Sequence, residues 1–330
     1  MKPDKNASIW LFAFGYFAAY VPYAATTKAL TSGAPDAALT GTMLLPLATI
    51  VSLVCMTMFL VATGWWRSAG RVRVRGFELP CPSKWTALSG VATTAVIITT
   101  TLAYTFAGTG IVLMMLLMRG GVLVIAPIAD KAAGRPVRWF SWAGLGLSAV
   151  ALSHAAFAVE GFGLSVLAAL DVAVYLAAYF LRLRFMSKLA KGAAEDNRRY
   201  FVEEQMVATP VAVLALSILA ALPLGSISAD LAAGFLAVPL TAAAPAIVLV
   251  GVTSQLTGVF GALVLLDPRE NSYCVPVNRG SSIVAGVLAS LVLSMASVAS
   301  APSAIELAGA GWVGLAVAVL ALGPRVRVRG

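Results

Sequence analysis

The stretch Tyr16-Phe-Ala-Ala-Tyr20 lies in the first long hydrophobic run of the chain, and it returns almost unchanged as Tyr175-Leu-Ala-Ala-Tyr179. The copies are 159 residues apart in a chain of 330 residues, and self-similarity of this kind indicates a duplicated unit. Further matches follow in the same order: Lys28 with Lys188 and Arg119-Gly120 with Arg279-Gly280, both 160 residues apart, and Ala143-Gly-Leu-Gly146 with Ala308-Gly-Ala-Gly311, 165 residues apart. The four matches predict two related halves.

The composition places this duplicated unit in a lipid bilayer. Hydrophobic residues make up 60% of the chain, charged residues 11%, and the mean hydropathy is +0.91. Soluble domains carry about 25% charged residues. The net charge of +9 does not indicate a nucleic-acid partner, because the basic residues lie in short segments between apolar runs rather than along a soluble face.

Ten apolar runs approach or exceed the length of about 20 residues that a helix needs to cross the hydrocarbon core. Each run is continuously apolar, whereas the strands of a membrane barrel alternate over about ten residues. We therefore predict an all-α integral membrane protein, with the first run retained as a helix rather than removed as a signal peptide. The ten predicted spans are 8–29, 39–63, 85–107, 109–130, 139–157, 161–182, 200–222, 236–264, 272–294 and 304–322.

The loops between the spans are strongly asymmetric in charge. Of the 23 basic residues, 20 fall on one side, while the opposite loops carry mostly Asp36, Glu160, Asp230 and Glu306. The positive-inside rule then predicts that both termini are cytoplasmic. The composition is compatible with a bacterial inner membrane, and an organellar membrane would satisfy the same physics.

An odd number of crossings in each half inverts the second half relative to the first. We expect two inverted five-helix repeats, 1–157 and 158–330, within one membrane domain. Inverted repeats around a central site are typical of secondary transporters, because rocking one repeat against the other exposes that site to each side in turn. A duplicated helix set can also serve an unrelated function, so this remains a hypothesis.

Charged residues inside the predicted spans point to a binding site. Lys28, Arg119 and Arg279 are basic, and Asp171 is the acidic counterpart that we identify. An arginine near the bilayer centre costs at least about 2.5 kcal/mol, so such residues usually face a cavity or a partner. Asp171 can neutralise one of them, and the remaining positive charge favours a small anionic substrate, a phosphorylated or carboxylated metabolite held by Arg119 and Arg279.

Two alternatives stay open for these charges. The arginines could be purely structural, one of them paired with Asp171. Asp171 is also the candidate for an intramembrane proton carrier, a role that pairing with an arginine would exclude. Polar and aromatic residues that could complete the binding site, although such side chains often serve only packing, are Tyr16, Tyr20, Tyr175, Tyr179, Thr101, Tyr104, Gln255 and Asn278.

Other features have plainer interpretations. Cys55, Cys81 and Cys274 form no metal-binding or disulfide pattern, and His154 is interpreted as an interfacial side chain. The hexapeptide Arg-Val-Arg-Val-Arg-Gly, at 71–76 and 325–330, is interpreted as a solvated charge run near anionic lipid, and its alternation also permits a short strand. Glycines 144 and 146 of span 5 and 309, 311 and 314 of span 10 permit close helix approach, either within the fold or in a homodimer.

The chain resembles the drug/metabolite transporter superfamily, whose EamA-like members have ten helices in two inverted repeats. Within it, the triose-phosphate and nucleotide-sugar branch is the most similar. Thr27-Lys28 is similar to its Asn-Lys at the end of the first helix, Ser187-Lys188 to its Ser-Lys after the sixth, and Asn278-Arg279 to its Asn-Lys or Lys-Arg in the ninth. Arg119 falls where that branch has a basic residue in the fourth helix.

By this resemblance, Lys28, Arg119 and Arg279 would contact the anionic group of the substrate, with Gln255 or Tyr104 near the rest of it. The sequence departs from the branch in two places. Pro127 follows Arg119 by eight residues instead of closely, and span 7 begins Glu203-Glu-Gln205 rather than with Phe-Tyr-Asn-Asn.

Three functions remain. The first is a secondary transporter of a small organic anion, working by exchange and needing no cofactor, since the chain has no Walker-type motif for ATP. The second is an exporter of amino acids or amphipathic drugs, with structural arginines. The third, a membrane enzyme acting on lipid-linked substrates, fits less well, because only Asp171 and His154 were identified as candidate catalytic groups within the spans.

Overall fold

A computed structural model describes residues 5–31, 39–103, 111–157, 166–191, 193–298, 301 and 304–323. Within these residues the chain folds into eleven α-helices and a β-hairpin. The helices are α1 Lys5–Thr31, α2 Gly41–Ala62, α3 Lys84–Leu102, α4 Ile111–Ala132, α5 Trp139–Phe157, α6 Val166–Leu189, α7 Ala194–Ala221, α8 Ser226–Leu236, α9 Ala244–Leu265, α10 Asn271–Met295 and α11 Ala304–Leu322. The hairpin consists of β1 Arg71–Val74 and β2 Phe77–Pro80.

Long apolar helices dominate the fold. Helices α1, α2, α6, α7, α9 and α10 are each long and apolar enough to cross a membrane. Such helices satisfy their backbone hydrogen bonds internally, which a hydrocarbon environment requires. The chain is therefore an all-α, multi-pass membrane protein, as its composition predicts.

The predicted span at 236–264 is wrong in its first part. The structure has the short helix α8, a single 3-10 turn at Val238–Leu240 and then α9, which begins at Ala244. Pro239 and Pro245 lie at the starts of the turn and of α9. Proline is tolerated in a first helical turn but interrupts a helix interior, so these two residues divide an otherwise continuous apolar run.

The sixth span also differs from its prediction. Helix α6 runs to Leu189 rather than ending at residue 182, so Arg182, Arg184 and Lys188 are helical rather than in a loop. The boundary between the proposed repeats, at residues 157 and 158, borders the segment 158–165, which lies outside the described residues.

Hydrogen bonds gather eight helix ends on one side of the bundle, which we call the hairpin face. Asp130, near the end of α4, accepts from the backbone N–H groups of Asn271 at 3.0 Å and Ser272 at 2.8 Å, at the start of α10. Glu203, near the start of α7, accepts from the N–H groups of Gly70 at 2.9 Å and Ser83 at 3.0 Å, next to the start of α3. Carboxylates at these positions satisfy N–H groups that helix starts leave free.

Further contacts complete the hairpin face and define the other side. They link Ser141 with Glu270, Asn271 with Ser187, and Asn197 with Leu266. On the opposite face, Thr40 and Thr42 at the start of α2 donate to Asp230 of α8 at 2.9 and 2.8 Å.

The hairpin confirms that the first copy of the basic hexapeptide contains a short strand. β1 and β2 pair antiparallel, with Arg71 opposite Pro80 and Val74 opposite Phe77. Arg75 and Gly76 form the connection with φ values of 48° and 88°, the left-handed conformations that a tight two-residue hairpin turn requires. The second copy, at 325–330, lies outside the described residues.

The glycines of spans 5 and 10 behave in two ways. A Cβ atom on Gly144 of α5 would lie 2.9 Å from Cγ of Leu320 in α11, so this glycine serves packing inside the chain. Glycines 146, 309, 311 and 314 have no such neighbour within 4 Å. The homodimer through these helices stays a prediction.

Candidate functional site

A polar cavity lies between helices of both halves of the chain. It measures about 190 Å³ and is lined by residues of α1, α2, α3, α4, α6, α7, α9 and α10. Since one buried water needs about 10–15 Å³ of such space, the cavity has room for a small metabolite. Three arginines contribute to its lining, and no aspartate or glutamate does among the described residues.

The duplicated tyrosines and arginines meet in this cavity. The guanidinium carbon of Arg119 lies 4.9 Å from the ring centre of Tyr20, and that of Arg279 lies 4.6 Å from the ring centre of Tyr179. Each pair joins the last tyrosine of the repeated motif to the arginine of the same half. A cation over an aromatic face is stabilised by the ring quadrupole, most strongly where water is excluded.

Arg119 has protein partners for its guanidinium group. It donates hydrogen bonds to the hydroxyl groups of Tyr20 and Ser282. Tyr20 belongs to the first half of the chain and Ser282 to the second. Arg119 therefore connects the halves at the cavity, and its side chain is 6% exposed.

Arg279 is less completely satisfied. The residue is 4% exposed, and its Nε and Nη2 atoms are buried without a hydrogen-bond partner. None of the ion pairs formed by the described residues includes it. A buried donor without an acceptor costs about 1–3 kcal/mol, and more when it is charged. An anion in the cavity would supply both the missing acceptors and the missing charge.

Arg182 corrects two sequence-based expectations. It was assigned to a cytoplasmic loop, but it lies in α6, is 6% exposed and lines the cavity. Its Nε and Nη2 atoms donate to the two carboxylate oxygens of Glu204, at 2.9 and 2.8 Å. Asp171 is therefore not the sole acidic counterpart, because Glu204 of α7 is completely buried and holds an arginine.

Asp171 pairs with none of the arginines in the described part of the chain. Its residue is 6% exposed, its Oδ2 atom has no hydrogen-bond partner, and it does not line the cavity. The expectation that Asp171 neutralises Arg119 or Arg279 is wrong. The side chain lies one helical turn from Tyr175, on the same buried face of α6.

The other predicted site residues divide into three groups. The cavity lining includes Arg119 and Arg279 together with Tyr16, Tyr20, Tyr175, Tyr179, Gln255 and Asn278. Lys28 is half-buried near the end of α1 and is absent from the lining, although its neighbour Thr27 belongs to it. Tyr104 and the side chain of Thr101 lie outside the described residues.

Several lining residues were missed. They are Arg182, Tyr23, Thr93, Gln205, Thr209 and Ser254. The helical spacing could have identified Arg182, because it follows Tyr175 and Tyr179 along one face of α6 at positions 171, 175, 178, 179 and 182. Gln205 and Thr209 are likewise four residues apart on α7.

The cavity reaches further toward one side of the bundle. Thr27, Leu44 and Ala103, near the ends of α1 to α3 at the opposite face, belong to its lining. Toward the hairpin face the lining ends at Arg182 and Leu265, and the carboxylate contacts of Asp130 and Glu203 lie beyond it. The hairpin face is therefore the closed side.

Comparison with known proteins gives a likeness of fold. No family model matches the chain, and no curated protein does. The chain is similar to a solved structure described only as "Crystal structure of protein", with a TM-score of 0.60 and 17% sequence identity, over 98% of this chain and 99% of the other. At this level of identity the likeness shows that the two chains share an overall fold along almost their entire lengths.

Proposed function

We propose that this protein is a secondary transporter that moves a small organic anion across a membrane by alternating access. The observation that carries the proposal is the buried guanidinium of Arg279, with two nitrogen atoms that lack acceptors, in a cavity whose described lining contains no carboxylate. Arginine keeps its charge at physiological pH and binds carboxylate or phosphate through two parallel hydrogen bonds. The substrate class is therefore a phosphorylated or carboxylated metabolite.

The proposal includes ten membrane crossings. Helices α3, α4, α5 and α11 have 19 to 22 residues, within the range of about 17–25 that spans a bilayer, and would join the six longer apolar helices. The hairpin face would be cytoplasmic, because the basic loops lie there. The cavity would then extend toward the outside of the membrane.

The packing supports two inverted repeats. If α1, α2, α3, α4 and α5 correspond to α6, α7, α9, α10 and α11, the helix contacts of one half reappear in the other. α1 packs on α9 and α10, and α6 packs on α3 and α4; α2 packs on α9, and α7 on α3; α4 packs on α5, and α10 on α11. A central site between such repeats can be exposed alternately to either side.

Membership of the drug/metabolite transporter superfamily is part of this proposal. It is supported by the resemblance of Thr27-Lys28, Ser187-Lys188 and Asn278-Arg279 to the triose-phosphate and nucleotide-sugar branch. The place of Arg279 and Asn278 in the cavity lining agrees with that resemblance. Exchange of one anion for another is the transport mode that this branch implies.

A second candidate is an exporter of amino acids or amphipathic drugs, in which the arginines are structural. The hydrogen bonds of Arg119 to Tyr20 and Ser282 favour it, because they show that one of the two arginines already has protein acceptors. The unpartnered nitrogens of Arg279 favour the anion transporter. Competition between charged and uncharged compounds separates the two.

The proposal is tested by a thermal-shift screen of the purified protein with inorganic phosphate, glucose 6-phosphate, succinate and a nucleotide sugar, each beside an uncharged relative such as glucose. We expect at least one anion to raise the melting temperature, because a ligand that binds only the folded state stabilises it. The shift should shrink in Arg119→Ala. Stabilisation by no anion, or by an anion equally in both proteins, would remove the basis for an anion site between the arginines.

A further inference from the structure

We propose that Asp171 is a proton-binding site that couples anion transport to a proton, an inference that rests on the transport function proposed above. The residue lies in α6, which is long and apolar enough to cross a membrane. It is 94% buried, as its exposure of 6% shows, and its Oδ2 atom has no hydrogen-bond partner. A carboxylate without a donor in such surroundings can relieve the cost of its buried charge by taking up a proton.

The other buried carboxylates of the described residues have work elsewhere. Glu204 accepts from both nitrogens of Arg182 and also from Ser89 at 2.8 Å. Asp130 and Glu203 hold backbone N–H groups at the hairpin face, and Glu270 accepts from Ser141 at 2.9 Å. Asp171 is the member of this group with a buried oxygen that lacks a donor.

The surroundings of Asp171 contain no charge that would hold it ionised. Burial is the influence that acts on the group, and no neighbouring charge among the described residues adds to it. Helices α3, α4 and α7 pack against α6. Their titratable side chains are Lys84 at the hairpin end of α3, Arg119, Asp130 and Lys131 on α4, and Glu195, Asp196, Arg198, Arg199, Tyr200, Glu203 and Glu204 in the first turns of α7 at the hairpin face. On α6 itself, Tyr175 lies one turn away.

The position of Asp171 links a proton to the anion site. Tyr175 lines the cavity from the same face of α6, so both sites move with one helix. Protonation removes a negative charge from an interior that already contains the excess positive charge of the arginines. Anion binding becomes more favourable when Asp171 is protonated, and by linkage the bound anion favours the protonated form.

Cotransport of anion and proton follows from this mutual preference. Asp171 lies five residues after the start of α6, near the side toward which the cavity extends. The carboxyl group would take up a proton from that side together with the anion. It would release the proton after the repeats rock, when the anion leaves on the other side.

The test uses sulfate as the probe, because its charge does not change between about pH 5 and pH 9, a range in which perturbed carboxyl groups titrate. The sulfate Kd is measured by thermal shift across this range for the wild type, for Asp171→Asn, and for Asp230→Asn as a control at the opposite face. We expect wild-type affinity to rise by about tenfold toward low pH, the effect of one unit charge about 12 Å away in an effective dielectric of about 20. Asp230→Asn should behave in the same way.

Asp171→Asn should bind sulfate with an affinity that no longer depends on pH and matches the acid form of the wild type. An unchanged pH dependence in this variant would overturn the proton site. If sulfate and the other anions bind to none of the proteins, the anion site itself fails, and infrared difference spectra on acidification decide the proton site separately. A protonated-carboxyl band that disappears in Asp171→Asn supports it, and a band that persists there contradicts it.

Discussion

Replacing Arg279 with alanine should abolish anion binding and anion uptake while leaving the protein folded. The side chain offers two buried nitrogen atoms that lack acceptors. Hydrogen bonds between charged groups contribute about 1.5–3 kcal/mol each, so the loss of two weakens anion binding by about 10²- to 10⁴-fold. Uptake of a stabilising anion into proteoliposomes measures the effect.

The stability of this variant separates lost binding from misfolding. Removing an arginine whose buried charge lacks a counterion removes a desolvation cost, so the melting temperature without ligand should stay the same or rise. Arg279→Lys keeps the charge but not the two parallel donors and should retain an intermediate affinity. Arg73→Ala is the control, because the Arg73 side chain is 78% exposed on the hairpin.

Two results would contradict this role for Arg279. Wild-type uptake by Arg279→Ala would show that the anion does not depend on its guanidinium. A large fall in the ligand-free melting temperature would show that Arg279 already has a structural partner. The second result would favour the exporter with structural arginines.

Replacing Glu204 with leucine should cost about 3–5 kcal/mol of the free energy of unfolding. The carboxylate is completely buried and accepts from two nitrogens of Arg182, from Ser89 at 2.8 Å and from Thr93 at 3.1 Å. Its removal leaves the Arg182 charge buried without a counterion. The melting temperature and the yield of monodisperse protein in detergent measure the loss.

The double variant Arg182→Met with Glu204→Leu should recover most of the lost stability. Replacing both partners of a buried ion pair with apolar groups is often neutral, whereas removing one partner is strongly destabilising. Glu195→Ala is the control, because Glu195 is exposed in the first turn of the same helix. A single variant as stable as the wild type, or a double variant no more stable than the single one, would contradict the account of this pair.

The central features of the site were predictable because they are encoded twice. Tyr20 and Tyr179 repeat with the same spacing as Arg119 and Arg279, and a duplicated pattern can be recognised without knowing how the helices pack. Hydropathy likewise identified the long apolar helices, since each consists of consecutive residues. The sequence therefore predicted eight of the cavity-lining residues.

The features that escaped prediction depend on contacts between distant segments. Arg182 lies among other basic residues in the sequence, and only its packing against α7 shows that its charge is buried beside Glu204. The break between α8 and α9 was hidden because Pro239 and Pro245 lie within an apolar run. Asp171 was expected to pair with an arginine because a count of charges does not reveal distances.

The hairpin face has a further consequence for alternating access. Asp130 in the first half of the chain caps α10 in the second, and Glu203 in the second half holds the segment before α3 in the first. Opening this face by rocking one half against the other would require these buried carboxylates to give up their backbone partners. The arrangement describes a conformation that is closed at the hairpin face.

An experimental structure of the protein in complex with an anion that stabilises it tests the central claim most directly. The account predicts density for the anion in the cavity between the two duplicated arginines, with its oxygen atoms within hydrogen-bonding distance of Nε and Nη2 of Arg279. An anion bound elsewhere, with this cavity empty and both nitrogen atoms of Arg279 still without acceptors, would contradict it.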